Sequence, residues 1–117
     1  MVVKAPPDSL SASWLAVRLG AEPRKIDAMR RAGELIAHRP EGAHEYYYPV
    51  WQFDEDWRPL PIVPRIVRTA REVGLSDNRL YALLNARSGL RGEGRLADGL
   101  REGRVDHVLS AIRAAKP

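Results

Sequence analysis

The sequence predicts a mainly α fold carrying one small β-hairpin, and three observations lead there. Apolar residues recur at three- and four-residue spacing through most of the second half, the signature of helices with one buried face. A single stretch, LIAHR followed by PEGA and HEYYYP over residues 35–49, sets two β-prone runs around a Pro/Gly turn. Gly20, Gly33, Gly74 and Gly103 fall where the helical runs stop, as helix-ending glycines do.

The chain's size and composition narrow what it can be. Its 117 residues fit one compact domain or two small modules sharing a core, and leave little room for a large internal cavity. At 44% hydrophobic and 29% charged residues the composition is that of a soluble globular protein, and no apolar run approaches the ~20 residues a membrane span needs. The start, MVVKAPPDSL, lacks the apolar core of a signal peptide. The absence of cysteine excludes disulfides and thiolate metal sites, so a cytoplasmic location is expected. Net charge is +4, but residues 1–57 hold seven Lys/Arg against nine Asp/Glu, whereas residues 58–117 hold twelve against six. A first half that binds a polyanion must therefore do so with a focused patch.

Residues 1–10, with two prolines and no apolar period, read as a flexible arm. Ser11 or Ser13 can cap a helix running to Leu19, with Trp14, Leu15 and Val17 expected to face inward. Pro23 opens a second helix that Gly33 closes. The hairpin follows; alternation sends Tyr46 and Tyr48 to one face and Tyr47 to the other, and VWQF forms a single helical turn. Helix, turn, helix and hairpin make the order of a winged helix-turn-helix over residues 11–53. After a linker loop at 54–61, residues 62–117 form a helical bundle. Its first helix buries Ile62, Val63, Ile66, Val67, Ala70 and Val73, and its second is capped by Ser76 and carries Leu80, Leu83 and Leu84. NARSGLRGEG links that helix to a short one at Leu96–Leu100, and a last helix carries Val105, Val108, Leu109 and Ile112.

The second helix is the most informative segment. With about 100° per residue, Ile26 and Met29 define its buried side, so Arg24, Asp27, Ala28 and Arg31 point away and Lys25 and Arg30 lie on the flanks. Two outward arginines with a small alanine between them suit entry into a major groove, where Arg pairs with guanine O6 and N7. Lys25 and Arg30 suit phosphates, which supply affinity without sequence information. The same charges also fit a solvated surface helix. On the hairpin, whose tip runs from His38 to His44, Arg39 is the candidate phosphate contact and His44 lies beside it.

LGAEPRKIDAMRRAGELIAHR resembles the helix-turn-helix of the excisionase and MerR-like group through Leu15, Leu19, Gly20, Ile26, Gly33, Leu35, Ile36 and Arg39. The second half is similar to the toxin-binding domain of Xre/MbcA/ParS-type antitoxins. Its matching elements are Pro49, Trp51, Gln52 and Phe53; Ile62 to Val73; Leu80, Tyr81, Leu84 and Asn85; then Leu90, Leu100, Gly103 and Val108 to Ile112. The whole order also resembles small actinobacterial winged-helix DNA-binding proteins. These resemblances imply a DNA-binding transcriptional regulator, a repressor working as a homodimer on double-stranded DNA. They extend to the antitoxin of a toxin-antitoxin pair that represses its own operon and neutralises a RES-type toxin. The toxin-binding surface would then fall on Arg87, Arg91, Arg95, Val108 and Ile112, positions that equally fit a solvated basic face. A protein-binding adaptor that does not touch DNA is the alternative.

Nothing in the sequence suggests catalysis. Asp54, Glu55 and Asp56 lack a nucleophile or histidine nearby, and no phosphate-binding glycine loop joins a strand to a helix. His38 and His44, without carboxylate or thiolate company, read as turn residues and not as a metal pair, and no cofactor is expected. Residues 45–57 hold six of the eight aromatics. They straddle the boundary between the two modules, so Trp51 and Phe53 are expected to anchor wing to bundle, with base stacking left to an exposed tyrosine face.

Overall fold

The computed structural model describes residues 8–88 and 94–115. In chain order these form β1 (Ser9–Ser11), α1 (Ala12–Leu19), α2 (Pro23–Arg31), β2 (Tyr47–Pro49), a 3-10 turn (Val50–Gln52), α3 (Val63–Glu72), α4 (Asp77–Asn85), β3 (Arg87–Ser88), β4 (Gly94–Arg95), a 3-10 helix (Leu96–Leu100) and α5 (Val105–Ala114). The fold is mainly α, with two small antiparallel sheets among the described residues.

The helix ends follow local chemistry. Ser11 caps α1, its side chain accepting from the Trp14 amide, and Pro23 opens α2 where no intrahelical N–H is required. At Gly20 (φ 65°) and Gly33 (φ 81°) the chain turns left-handed. Beyond α2 the Gly33 amide donates to Arg30 O and the Glu34 amide to Met29 O, which satisfies carbonyls the helix would otherwise leave open. Ser76 caps α4 by accepting from the Arg79 amide.

Two apolar clusters share the interior. The smaller joins Leu15, Ala16, Ile26, Leu35, Ala37, Tyr48 and Phe53. The larger is built from α3, α4, the 3-10 helix and α5, and takes in Ile36 and Trp51 from the first half. The 3-10 turn thus sends Trp51 into one cluster and Phe53 into the other. Between them Gln52 is fully buried. Its amide nitrogen donates to Ile36 O (2.7 Å) and Pro49 O (3.0 Å), while its Oε1 accepts from Ile36 N (2.7 Å). One side chain therefore supplies the partners that a neighbouring strand would have given residue 36.

Several expectations are corrected here. The arm assigned to residues 1–10 is, over Ser9 and Leu10, part of a strand paired antiparallel with β2, in the register Ser9↔Pro49, Leu10↔Tyr48 and Ser11↔Tyr47; residues 1–7 lie outside the described residues. The hairpin is reduced to one bridge, His38↔Tyr47, because Pro49 has no N–H to continue the ladder and the Gln52 side chain takes the backbone of Ile36; β1 pairs along the other edge of β2. Trp14 and Val17 do not face inward: they are 64% and 73% exposed, since α1 turns Leu15 and Ala16 to the core. The described ends of the NARSGLRGEG linker pair as β3 and β4, and the short helix after them is 3-10.

Candidate nucleic-acid interface

Helix α2 buries Ile26 completely and Met29 in part, which leaves Arg24, Lys25, Ala28 and Arg31 exposed together. Arg24 and Lys25 have no ion pair among the described residues. Asp27 accepts from Arg30 one turn on and pairs with Arg31 at 3.0 Å, spacings that place all three along one side of the helix. The Arg30 hydrogen bond, opposed by slight desolvation, holds the Asp27 carboxyl below the usual aspartate range.

Arg30 departs from its expected place on a phosphate-facing flank. Its side chain is only 15% exposed, and its guanidinium carbon sits 3.9 Å from the centroid of the Tyr46 ring. Burial works most strongly against its charge, but the hydrogen bond and charge of Asp27 together with the Tyr48 hydroxyl outweigh it, and its pKa is raised. A cation stacked on an aromatic face and bonded to a carboxylate is an internal strut. Arg39 lies over the same ring at 5.5 Å and is exposed. Tyr46 thereby couples α2 to the segment after it. Asn78 of α4 fixes that segment from the other side, its Oδ1 accepting from Arg39 N (2.8 Å) and its Nδ2 donating to Arg39 O (2.7 Å). His44 is exposed and near the turn closed by the Ala43 amide donating to Pro40 O.

The far end of α2 is fixed by α3. Arg71 donates to Arg30 O (3.3 Å) and Arg31 O (3.5 Å), a cation at the negative end of the helix dipole. Gly33 makes this approach possible: a Cβ there would stand 3.1 Å from Arg71 Nη1.

The residues assigned to a toxin-binding surface separate. Val108 and Ile112 are fully buried in the larger cluster, because α5 turns exactly the face bearing them onto α3, and neither is available to a partner. Arg95 is spent internally, donating to Asn85 Oδ1 (3.2 Å) and lying 3.9 Å from Asp8 and 3.7 Å from Asp98. Arg87 belongs to β3, and Arg91 lies outside the described residues.

Sequence reasoning missed the polar knot at the joint. Asp8 accepts from Tyr81 Oη (2.7 Å), Ser9 Oγ (3.1 Å), Trp51 Nε1 (3.1 Å) and Asn85 Nδ2 (3.3 Å). Burial alone would raise its pKa, but those donors, Tyr81 foremost, hold it below the usual value. Desolvation and the bond to Asp8 push the Tyr81 hydroxyl up to about 12. His38 is buried, its Nε2 is 3.0 Å from Ser9 Oγ, and its ring lies parallel to that of Tyr81 with centroids 3.4 Å apart. It is a packed joint residue and not a wing-tip turn residue. Burial lowers its pKa, the charge of Asp8 opposing. No local pattern marks Asp8, since three of its four partners lie 43 to 77 residues away.

Among the described residues no group of three or more His, Asp or Glu side chains could hold a metal, and no helix is long and apolar enough to cross a membrane. No family model and no curated protein matches the chain. Its fold is shared with a solved structure, the NMR structure of Rv2175c, at a TM-score of 0.78 over 97% of this chain and 85% of that one. The identity of 19% limits the likeness to fold.

Proposed function

We propose that this chain is a DNA-binding transcriptional regulator of winged helix-turn-helix type that presents α2 to the major groove. The observation carrying this is the exposed set Arg24, Lys25, Ala28 and Arg31, raised above a fully buried Ile26 on a helix braced at its last turn by Tyr46 and Arg71. Rigid support matters because base readout needs side chains placed to a fraction of an ångström. Arg24 and Arg31 are the base-reading candidates, Lys25, Arg39 and His44 the backbone contacts, while Asp27 pairs with Arg31 on the same face. A nine-residue helix covers one half-site, so the working form is a homodimer on paired half-sites, acting as a cytoplasmic repressor.

The test is a gel shift on the promoter fragment upstream of the gene. Wild type should give a salt-sensitive shift that Arg24→Ala with Arg31→Ala abolishes. Unchanged binding by the double variant would remove α2 as the reading element.

A protein-binding adaptor is the second reading, favoured by the exposure of Trp14 and Val17 on α1. It predicts no DNA shift and a stable complex with a protein partner. Neutralisation of a RES-type toxin belongs to this reading, and the adjacent reading frame tests it.

A further inference from the structure

On α3, Arg65, Arg68 and Arg71 recur every third residue and are all exposed, while Val63, Ile66, Val67 and Ala70 between them are buried. Glu72 is the only exposed acid on this helix, and none of the three arginines has an ion pair among the described residues. Arg71 ties this row to α2, because its guanidinium donates to the carbonyls of Arg30 and Arg31. Where the two helices meet lies an open groove of about 470 Å³ lined by Ala32, Gly33, Pro64, Arg68, Arg71 and Glu72. Small residues line its α2 side, and on the α3 side Arg68 and Arg71 outnumber the single acid, Glu72, leaving it net basic.

We infer that α3 supplies a second DNA contact, in which Arg65 and Arg68 grip the phosphate backbone beside the groove entered by α2. This rests on the DNA-binding reading of α2 and adds residues from the other half of the chain to it. Charge complementarity selects the occupant. The first half is net acidic, with seven Lys/Arg against nine Asp/Glu, so the cations of α2 sit on a module of opposite net charge and a basic row from α3 adds to what a polyanion meets. The α3 row continues the basic face from the last turn of α2, the end where a helix lying in a groove passes the adjoining backbone. Arg71 is the positioning residue: it holds α3 against α2 so that the two basic faces form one surface.

The test measures binding to a short fluorescein-labelled duplex of arbitrary sequence, by anisotropy across a range of salt. Each lost phosphate contact lowers the slope of log K against log salt by about 0.9, so Arg65→Gln with Arg68→Gln should flatten it by roughly 2. Arg65→Lys with Arg68→Lys keeps the charges and should restore the slope, and thermal melts should place both variants at the wild-type Tm. The Arg24→Ala, Arg31→Ala protein should lose preference for the promoter fragment yet keep the α3 share of the slope. An unchanged slope in the glutamine variant, with wild type binding normally, overturns the α3 contact and leaves the α2 reading standing. No binding by wild type to either duplex overturns both. A flattened slope in the glutamine variant with an unaffected α2 variant keeps the α3 contact and removes α2 as the reader.

Discussion

The two halves of this molecule are held together by different physics. The C-terminal cluster draws fifteen buried side chains from three helices, a 3-10 helix, Leu75 between α3 and α4, and two residues of the first half, and rests on non-directional apolar packing. The N-terminal cluster has seven, because α1 and α2 leave most of their surface outside: of nine residues in α2 only Ile26 is buried. A unit this small buries too little to stand without help. The help is directional: Gln52 against Ile36, Asp8 among four donors, Asn78 on Arg39 and Arg71 on the end of α2. Of these, Arg71 acts on α2 itself, at its last turn, while the others tie residues 8, 36 and 39 to the rest of the chain. The face of α2 bearing Arg24, Lys25, Ala28 and Arg31 stays exposed, as the proposed reading role requires.

The sharpest way to break that contrast is to set one clamp against one core residue. Leu84→Ala empties the centre of the larger cluster and should cost about 3 kcal/mol. Gln52→Leu preserves apolar volume but strips Ile36 N–H and C=O of their buried partners, at roughly 1 to 3 kcal/mol each. The two variants should therefore be similarly destabilised, with Tm lowered by on the order of 15 °C. Urea melts followed by both circular dichroism and tryptophan fluorescence test this. A Gln52→Leu cost under about 1 kcal/mol would show that apolar packing, not the amide, joins the halves.

Next in size comes a comparison within the first half. Gly20 and Gly33 both adopt positive φ at helix ends, but a side chain at Gly20 would meet open space, whereas one at Gly33 would crowd the Arg71 guanidinium at 3.1 Å. Gly20→Ala should cost about 1 kcal/mol, the left-handed penalty alone. Gly33→Ala should cost about 2 kcal/mol, since it also displaces the guanidinium that caps α2. Equal costs, read from urea midpoints, would mean that Arg71 shifts freely and does not brace the helix.

Acid should weaken the joint before it weakens the bundle. His38 has a lowered pKa in the folded state, so below about 6.5 the unfolded chain takes up its proton first and stability falls as pH drops through the folded value. Asp8 also has a lowered pKa; its contribution is complete above about 3.9 and is lost as pH falls through its lower folded value. Two separate acid losses are expected. Asp8→Asn should remove the lower one and His38→Gln the upper one; losing the Asp8 charge also lowers the folded His38 pKa further, so the upper loss should deepen in Asp8→Asn. Tm measured from pH 7 down to pH 3 separates them, and a single transition untouched by either variant would place the acid sensitivity elsewhere.

Most of the helical framework was legible because its signals are local. Ser11, Pro23, Ser76 and the helix-ending glycines act on neighbours within one turn, and the period of Ile62 to Val73 states the buried face of α3. The joint was not legible, because a tertiary partner overrode local preference at each step. Ser9 and Leu10 became a strand only because β2 offered an edge, and the LIAHR run lost its ladder to a glutamine side chain. Trp14 was misplaced for another reason: on an eight-residue helix the neighbouring apolar arcs Leu15 with Ala16 and Trp14 with Val17 compete, and only packing chooses between them. In the candidate site the outward face of α2 was readable from period alone. The inward turn of Arg30 was not, since Tyr46, sixteen residues on, decides it.

The smallest expected change in stability tests the division between a held interior and a free reading face most directly. Asp27 has two unlike partners: the Arg31 pair lies at the surface, whereas the Arg30 bond ends on a guanidinium only 15% exposed, and Asp27→Asn removes the charge from both while leaving an amide oxygen that can still accept from Arg30. An exposed pair contributes little in water and the Arg30 hydrogen bond can persist, so the melting curve should move only slightly. DNA binding should respond strongly by comparison. The substitution deletes a negative charge from the face offered to phosphates and releases the Arg31 guanidinium from its 3.0 Å pairing, so affinity should rise and the salt slope steepen by up to about 1. Weaker binding from an equally stable Asp27→Asn protein would mean that the carboxylate holds Arg31 in its reading posture, and that preorganisation on this face outweighs net charge.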